Sequence, residues 1–304
     1  MIITQVGIPR ALYYFQFYPL WEAYLSTLGL QVTFSPPTNQ EILELGLEAC
    51  VDGACLPLKA FVGHVRFLAR QGLGLLWVPQ VISLVRGEYT CPNLLGLPDL
   101  VRQYVSPSVR LLTPVLDARR GKRQLDRGYL SWGLQFAALP RVLRAWQKAC
   151  VVQRSWEEEQ GRGHPAGSAL TILLLGPGYL VDDAYLNGNL QRKLQELGVA
   201  VVRADLPDAV TVPACRYLTK RPYWTTTRRA LGALEHFRRT VDGVISIAPF
   251  GCGAEAMQGV LVNQRLRGAN LPYLELYVDE HSSPVGLHTR LEAFCDLLER
   301  KKSG

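Results

Sequence analysis

The chain has 304 residues, 48% of them hydrophobic and 19% charged, a balance that excludes a disordered chain and suits about two domains of ~150 residues. The formal net charge of +7 is spread along the sequence; this disfavours a nucleic-acid interface and leaves a mild bias toward phosphates, CoA-type ligands or an acidic protein. No apolar run approaches the ~20 residues of a membrane span, and the start lacks a basic signal-like region. Seven cysteines in such a chain are therefore expected to be buried thiols, metal ligands or redox groups of a cytoplasmic protein rather than a disulfide framework.

The first half alternates strand and helix signals. Residues 2–6 read as a strand that turns at Gly7-Ile8-Pro9-Arg10 into an amphipathic helix over 11–28, stopped by Gly29. A short strand over 31–34 follows, then a helix over 40–47 that Thr38 and Glu41 introduce as a capping box. A helix over 58–71 precedes a buried-type strand over 75–78 that ends at Pro79, and residues 83–99 read as a Gly- and Pro-rich loop. From 117 to 163 charge rises, strand signals vanish and helical periodicity runs through 139–154, a connector closing at Gly161-Arg162-Gly163-His164-Pro165.

The second half repeats the alternation. Strands are expected over 170–175, 200–202, 244–247 and 272–276, and helices over 184–197, 224–239, 254–267 and 286–301. Helices of this length between strands imply right-handed βαβ units and parallel sheets. The expected fold is α/β: two Rossmann-like parallel-sheet domains, 1–116 and 166–304, joined by a helical region over 117–165.

The sharpest chemical feature is Gly251-Cys252-Gly253 between a buried strand and a helix. A thiol there sits at a strand's carboxyl end and at a helix N-terminus, where free amides and the positive dipole end favour thiolate. The rival reading is a tight turn with an incidental small residue. Cys55, in Ala54-Cys55-Leu56-Pro57, also precedes a helix, and Cys91 is followed by Pro92 in the Gly/Pro-rich loop. No Cys-x-x-Cys exists, so a ferredoxin-type or zinc-ribbon site is disfavoured and any shared metal site must be assembled by the fold. Cys50 is a reserve candidate, Cys295 reads as core, and Cys150 and Cys215 as structural or surface residues. Asp279-Glu280-His281 after the last strand is either a ligand- or proton-handling group or a helix cap. Arg86-Gly87-Glu88-Tyr89 is placed to position an anion beside Cys91, and His64 reads as a packed or surface histidine. Gly176-Pro177-Gly178 lacks the third glycine of a dinucleotide fingerprint, and the chain has no Walker-type phosphate loop.

Taken together, these phrases resemble a known family. Val6-Gly7-Ile8-Pro9-Arg10-Ala11-Leu12-Tyr13-Tyr14, Phe34-Ser35-Pro36-Pro37-Thr38-Asn39, Ala54-Cys55-Leu56-Pro57 and Gly87-Glu88-Tyr89 with Cys91-Pro92 carry the first part of the likeness. Gly96-Leu97-Pro98-Asp99, Arg221-Pro222-Tyr223-Trp224, Phe250-Gly251-Cys252-Gly253 and Asp279-Glu280-His281 continue it in order. The resemblance is to the uncharacterised domain associated with CoA-enzyme activases, a relative of the 2-hydroxyacyl-CoA dehydratase subunits. It implies a double α/β protein with a [4Fe–4S] cluster on three cysteines and an ATP-dependent activase or related subunit as electron-feeding partner. By position it implies Cys55, Cys91 and Cys252 as ligands. Glu88 and His281 are the candidates for handling protons or bonding to cluster sulfurs. A CoA-type ligand and a dimer are further expectations. Two departures, Ser282-Ser283-Pro284-Val285 after His281 and Gly176-Pro177-Gly178-Tyr179 at the opening of the second half, bear on substrate chemistry rather than on the cluster. The alternative is a non-catalytic accessory or binding module whose cysteines are structural or bind zinc.

Overall fold

Strands and helices are interspersed in the computed structural model, which describes residues 5–160 and 170–303. Residues 2–4 of the expected first strand and the expected boundary at 161–165 lie outside the described residues. The chain divides into two units, Met1–Ala54 with Leu58–Gln160, and Cys55–Pro57 with Gly161–Gly304.

In the first unit β1 (Gln5–Ile8), α1 (Tyr14–Leu28), β2 (Gln31–Phe34), α2 (Gln40–Leu47), α3 (Leu56–Arg70) and β3 (Leu75–Trp77) follow one another. Then come β4 (Gln80–Ser83), α4 (Pro92–Leu95), α5 (Leu97–Arg102), β5 (Arg110–Leu112), β6 (Val115–Asp117), α6 (Lys122–Gly133) and α7 (Leu139–Gln160). The main sheet is parallel in the order β2-β1-β3-β5, with β4 and β6 as a separate parallel pair. The strand expected over 75–78 ends before Pro79 as anticipated; β4 then begins a separate pair, and β6 joins it after Pro114 in the same way. Each proline lacks the amide that a ladder needs, so both strands break at matching places. The breaks are bridged by Val78 N donating to Leu112 O at 2.9 Å and Gln80 N to Pro114 O at 3.0 Å. The expected 83–99 loop also holds α4 and the start of α5. Their prolines, Pro92 and Pro98, stand in the first turn, where the missing amide would be unsatisfied anyway.

The connector helices belong to this unit's core. Trp21 and Tyr24 of α1, Trp77 of β3, Tyr129 and Trp132 of α6 and Val142, Ala145 and Ala149 of α7 pack as one buried cluster. Trp77 and Trp132 meet edge to face at 4.8 Å, and Tyr129 stacks on Trp146 at 4.5 Å. The polar ends are satisfied inside it: Trp21 Nε1 donates to Tyr129 Oη at 3.0 Å, and Tyr24 Oη donates to the Tyr129 carbonyl at 2.6 Å.

The second unit runs β7 (Leu170–Leu175), α8 (Gly178–Val181), α9 (Leu190–Glu196), β8 (Val199–Arg203), α10 (Asp208–Ala214) and α11 (Thr225–Phe237). It continues with β9 (Gly243–Pro249), α12 (Gly253–Leu266), β10 (Tyr273–Val278) and α13 (Pro284–Ser303). Its sheet is parallel in the order β10-β9-β7-β8. All seven residues of β9 are buried, as expected of an inner parallel strand covered on both faces. The helix expected over 184–197 is cut to α9, because Asp183 Oδ1 accepts the amides of Tyr185 and Leu186 in a turn that Asn187 and left-handed Asn189 complete. No helix among the described residues is long and apolar enough to cross a membrane.

A close helix crossing sets the start of α3. A Cβ on Gly46 of α2 would come within 1.9 Å of the Lys59 carbonyl, and one on Gly63 of α3 within 1.9 Å of the Ile42 carbonyl. Backbone cannot yield cheaply there, so Gly63→Ala is expected to lower stability by about 2 kcal/mol or more. Gly53→Ala, where an added Cβ meets nothing within 4 Å, should change it far less. Thermal unfolding of both variants is the measurement.

Candidate functional site

Parallel topology brings the loops after the strands to the carboxyl edge of each sheet, where ligand sites of such folds lie. β9 ends at Pro249, and Gly251 then turns the chain at φ +73°, a left-handed conformation that a side chain would strain. Cys252 follows in extended backbone as the residue before α12. Its thiol is half-buried at the start of a 14-residue helix, where amides not used within the helix favour the anion.

The other two candidate thiols occupy comparable positions. Cys55 is half-buried and immediately precedes α3. Cys91 is half-buried and immediately precedes Pro92, the first residue of α4. Glycines near Cys55 and Cys252 leave room: a Cβ built on Gly53, Gly251 or Gly253 would meet no atom within 4 Å, and the same holds at Gly87, four residues before Cys91. The glycines of the cores behave otherwise, as at Gly46 and Gly63.

The Glu88–Cys91 loop is pinned to β4, with Thr90 N donating to Ile82 O at 3.1 Å and the Thr90 hydroxyl donating to the Val81 carbonyl. Glu88 is fully buried. His281 is exposed. In its segment, Asp279 Oδ1 accepts from the His281 amide at 3.0 Å and from Ser282 Oγ at 2.8 Å, a side-chain turn that closes before α13 begins at Pro284.

The remaining cysteines differ from the three candidates. Cys295 is buried in α13, and burial pushes its thiol up to about 11. Cys215 is buried with Sγ donating to the Arg228 carbonyl at 3.3 Å. Cys50 is buried and hydrogen bonded with Tyr104. Burial also raises the Cys150 thiol. Cys91 lies in the first unit and Cys252 in the second, while Cys55 groups with the second. Among the described residues no three His, Cys, Asp or Glu side chains stand together as a group that could hold a metal ion.

Gly176-Pro177-Gly178 opens α8, and a Cβ on Gly176 would meet the Ile247 carbonyl at 2.6 Å. Close packing against β9 is the role of that glycine.

Sequence reasoning missed a buried polar group next to Cys252. Glu255, in the first turn of α12, is only 2% exposed, and burial pushes its carboxyl up to about 7 despite a hydrogen bond from Thr226. Its Oε2, both amide atoms of Gln258, the hydroxyls of Thr225 and Thr227 and the Trp224 indole nitrogen are all buried without a hydrogen-bond partner. An orphaned group costs about 1–3 kcal/mol, so such a concentration is not a neutral packing detail. From sequence, an acid three residues past a helix start reads as a solvent-facing cap; the buried environment has no local signal.

His64 is packed, as expected. It is 0% exposed, with Ser35 Oγ 2.8 Å from Nδ1 and Thr38 Oγ1 3.0 Å from Nε2. Ser35 Oγ also accepts the Arg10 amide at 2.8 Å, so the network ties together the turns after β1 and β2. Burial and the Arg10 charge lower His64 to about 3. The folded state thus binds fewer protons than the unfolded chain, whose histidine titrates near 6.5. This contribution to stability is complete above pH ~6.5 and is lost as pH falls toward 3, at up to about 1.4 kcal/mol per pH unit. His64→Gln should flatten that acid-side slope in chemical unfolding measured across the window.

Residues 5–206 match the model of the family described as CoA enzyme activase uncharacterised domain (DUF2229). The chain matches no curated protein.

Proposed function

We propose that this chain, which belongs to the CoA enzyme activase uncharacterised domain family, is an iron–sulfur redox protein with Cys55, Cys91 and Cys252 as ligands of a [4Fe–4S] cluster. The observation that carries the reading is the shared setting of these three thiols. Each is half-buried at the residue before a helix, and Cys55 and Cys252 have a glycine within two residues that leaves open space. A cluster thiolate needs a favourable electrostatic setting and room for a bulky inorganic group, and these positions offer both. Cys295, Cys215 and Cys50 are buried and offer neither.

Bound there, the cluster would supply one-electron chemistry, with one iron not held by cysteine. The chain's own contribution is to hold the thiolates, to limit water through the buried Glu88 loop, and to set the potential by burial and backbone donors. Family membership supports an ATP-dependent activase, or a related subunit, as the partner. One observation favours the second reading, a non-catalytic accessory or binding module: the described residues contain no ready group of three metal-binding side chains.

Protein purified without oxygen is expected to be brown and to contain iron and acid-labile sulfide. Cys252→Ser should remove most of the iron and Cys295→Ser should not. Equal iron in the two variants, or none in the wild type, moves the conclusion to the accessory module. A second expectation concerns the donor. Mixed with a reduced activase of this family, the cluster absorbance should bleach faster with ATP than without, and equal rates would refute coupling to hydrolysis.

A further inference from the structure

We propose that the adjoining first turns of α11 and α12 form a buried binding site for a small monoanionic carboxylate, held by Thr227, Glu255 and Gln258. The site lies wholly in the second unit and does not depend on the cluster.

Leu231 and Val262 belong to one buried apolar cluster. Thr227 precedes Leu231, and Gln258 precedes Val262, by one helical turn on the same face. The ridges that meet as leucine and valine deeper in the core therefore begin as threonine and glutamine. The Thr226 hydroxyl bonds the Glu255 carboxyl, which puts the two first turns in contact. Thr227 and Gln258 are each 1% exposed and Glu255 2%. The Thr227 hydroxyl, Glu255 Oε2 and both Gln258 amide atoms lack partners, as do the Trp224 nitrogen and the Thr225 hydroxyl where α11 starts.

Donors dominate this inventory. The indole N–H can only donate, the hydroxyls and the glutamine NH₂ can donate, and a carboxyl raised by burial donates in its protonated form. Two helix N-termini add unused amides and positive dipole ends. The ligand that complements them is an oxyanion. Its charge is limited by the neighbouring cations. Arg228 is fully buried, and both it and Arg229 bond Asp208, at 2.5 Å and 3.1 Å. With those guanidiniums already engaged by Asp208, the donors left are neutral groups and helix amides, which suit a single negative charge better than a phosphate dianion.

The test titrates the full chain, prepared without metal, with acetate, butyrate and inorganic phosphate by calorimetry. One saturable site for the carboxylates is expected. Gln258→Leu and Thr227→Val should each weaken it about tenfold or more. Glu255→Gln, whose amide N–H replaces the carboxyl O–H, should retain it. Unfolding temperatures identify a variant that fails to fold, and the two weakening variants check each other. Absence of saturable carboxylate binding, preference for phosphate, or folded variants that bind like the wild type would overturn the proposal; in the last case the polar turn is structural.

Discussion

Parallel strands cannot be joined by a tight turn. Each must be followed by a crossover that returns the chain to the starting edge. Both four-stranded sheets of this protein obey that constraint, and much of the site chemistry depends on it. Every crossover helix that follows a strand begins at the carboxyl edge. The Arg10–Ser35–His64 network, Cys252 and the buried turn at Glu255 accordingly gather at such edges. The opposite edges are plain returns, marked by left-handed Gly29, Gly72, Gly198 and Gly268 after α1, α3, α9 and α12.

Much of this was legible in the sequence. Strands read well where they are continuous apolar runs, as in β7 and β9, and helices where Gly29 marks an end; the cap expected at Thr38 falls instead on Asn39, whose side chain accepts the Ile42 amide. The strand end at Pro79 was legible, but the β4–β6 pair beyond Pro79 and Pro114 was not, because its two strands are remote from each other in sequence. Reading failed also at α10, which follows Pro207, contains Pro213 and is held by packing: Thr211 is fully buried. The setting of Cys252 was visible, since glycine, cysteine and glycine between a strand and a helix are all local. Glu255 was not, because its burial comes from a neighbouring helix.

Two buried polar networks show what the fold does with such groups. His64 has a hydroxyl on each ring nitrogen and is held neutral, so it serves as a fixed strut. The Glu255–Gln258 turn has only the Thr226 bond among its side chains and otherwise unmet capacity. Low dielectric strengthens a complete network and penalises an incomplete one. Similar burial therefore gives rigidity in one unit and an appetite for a polar ligand in the other.

The aromatic core of the first unit has an optical consequence. Five of the six tryptophans, Trp21, Trp77, Trp132, Trp146 and Trp156, lie in the first unit, and Trp224 alone lies in the second. Edge-to-face contacts link Trp21 to Trp77 and Trp77 to Trp132. Rings this close exchange excitation and give strong near-ultraviolet circular dichroism. The two halves of the chain thus carry separate spectroscopic signatures, a coupled indole cluster in one and a solitary emitter in the other.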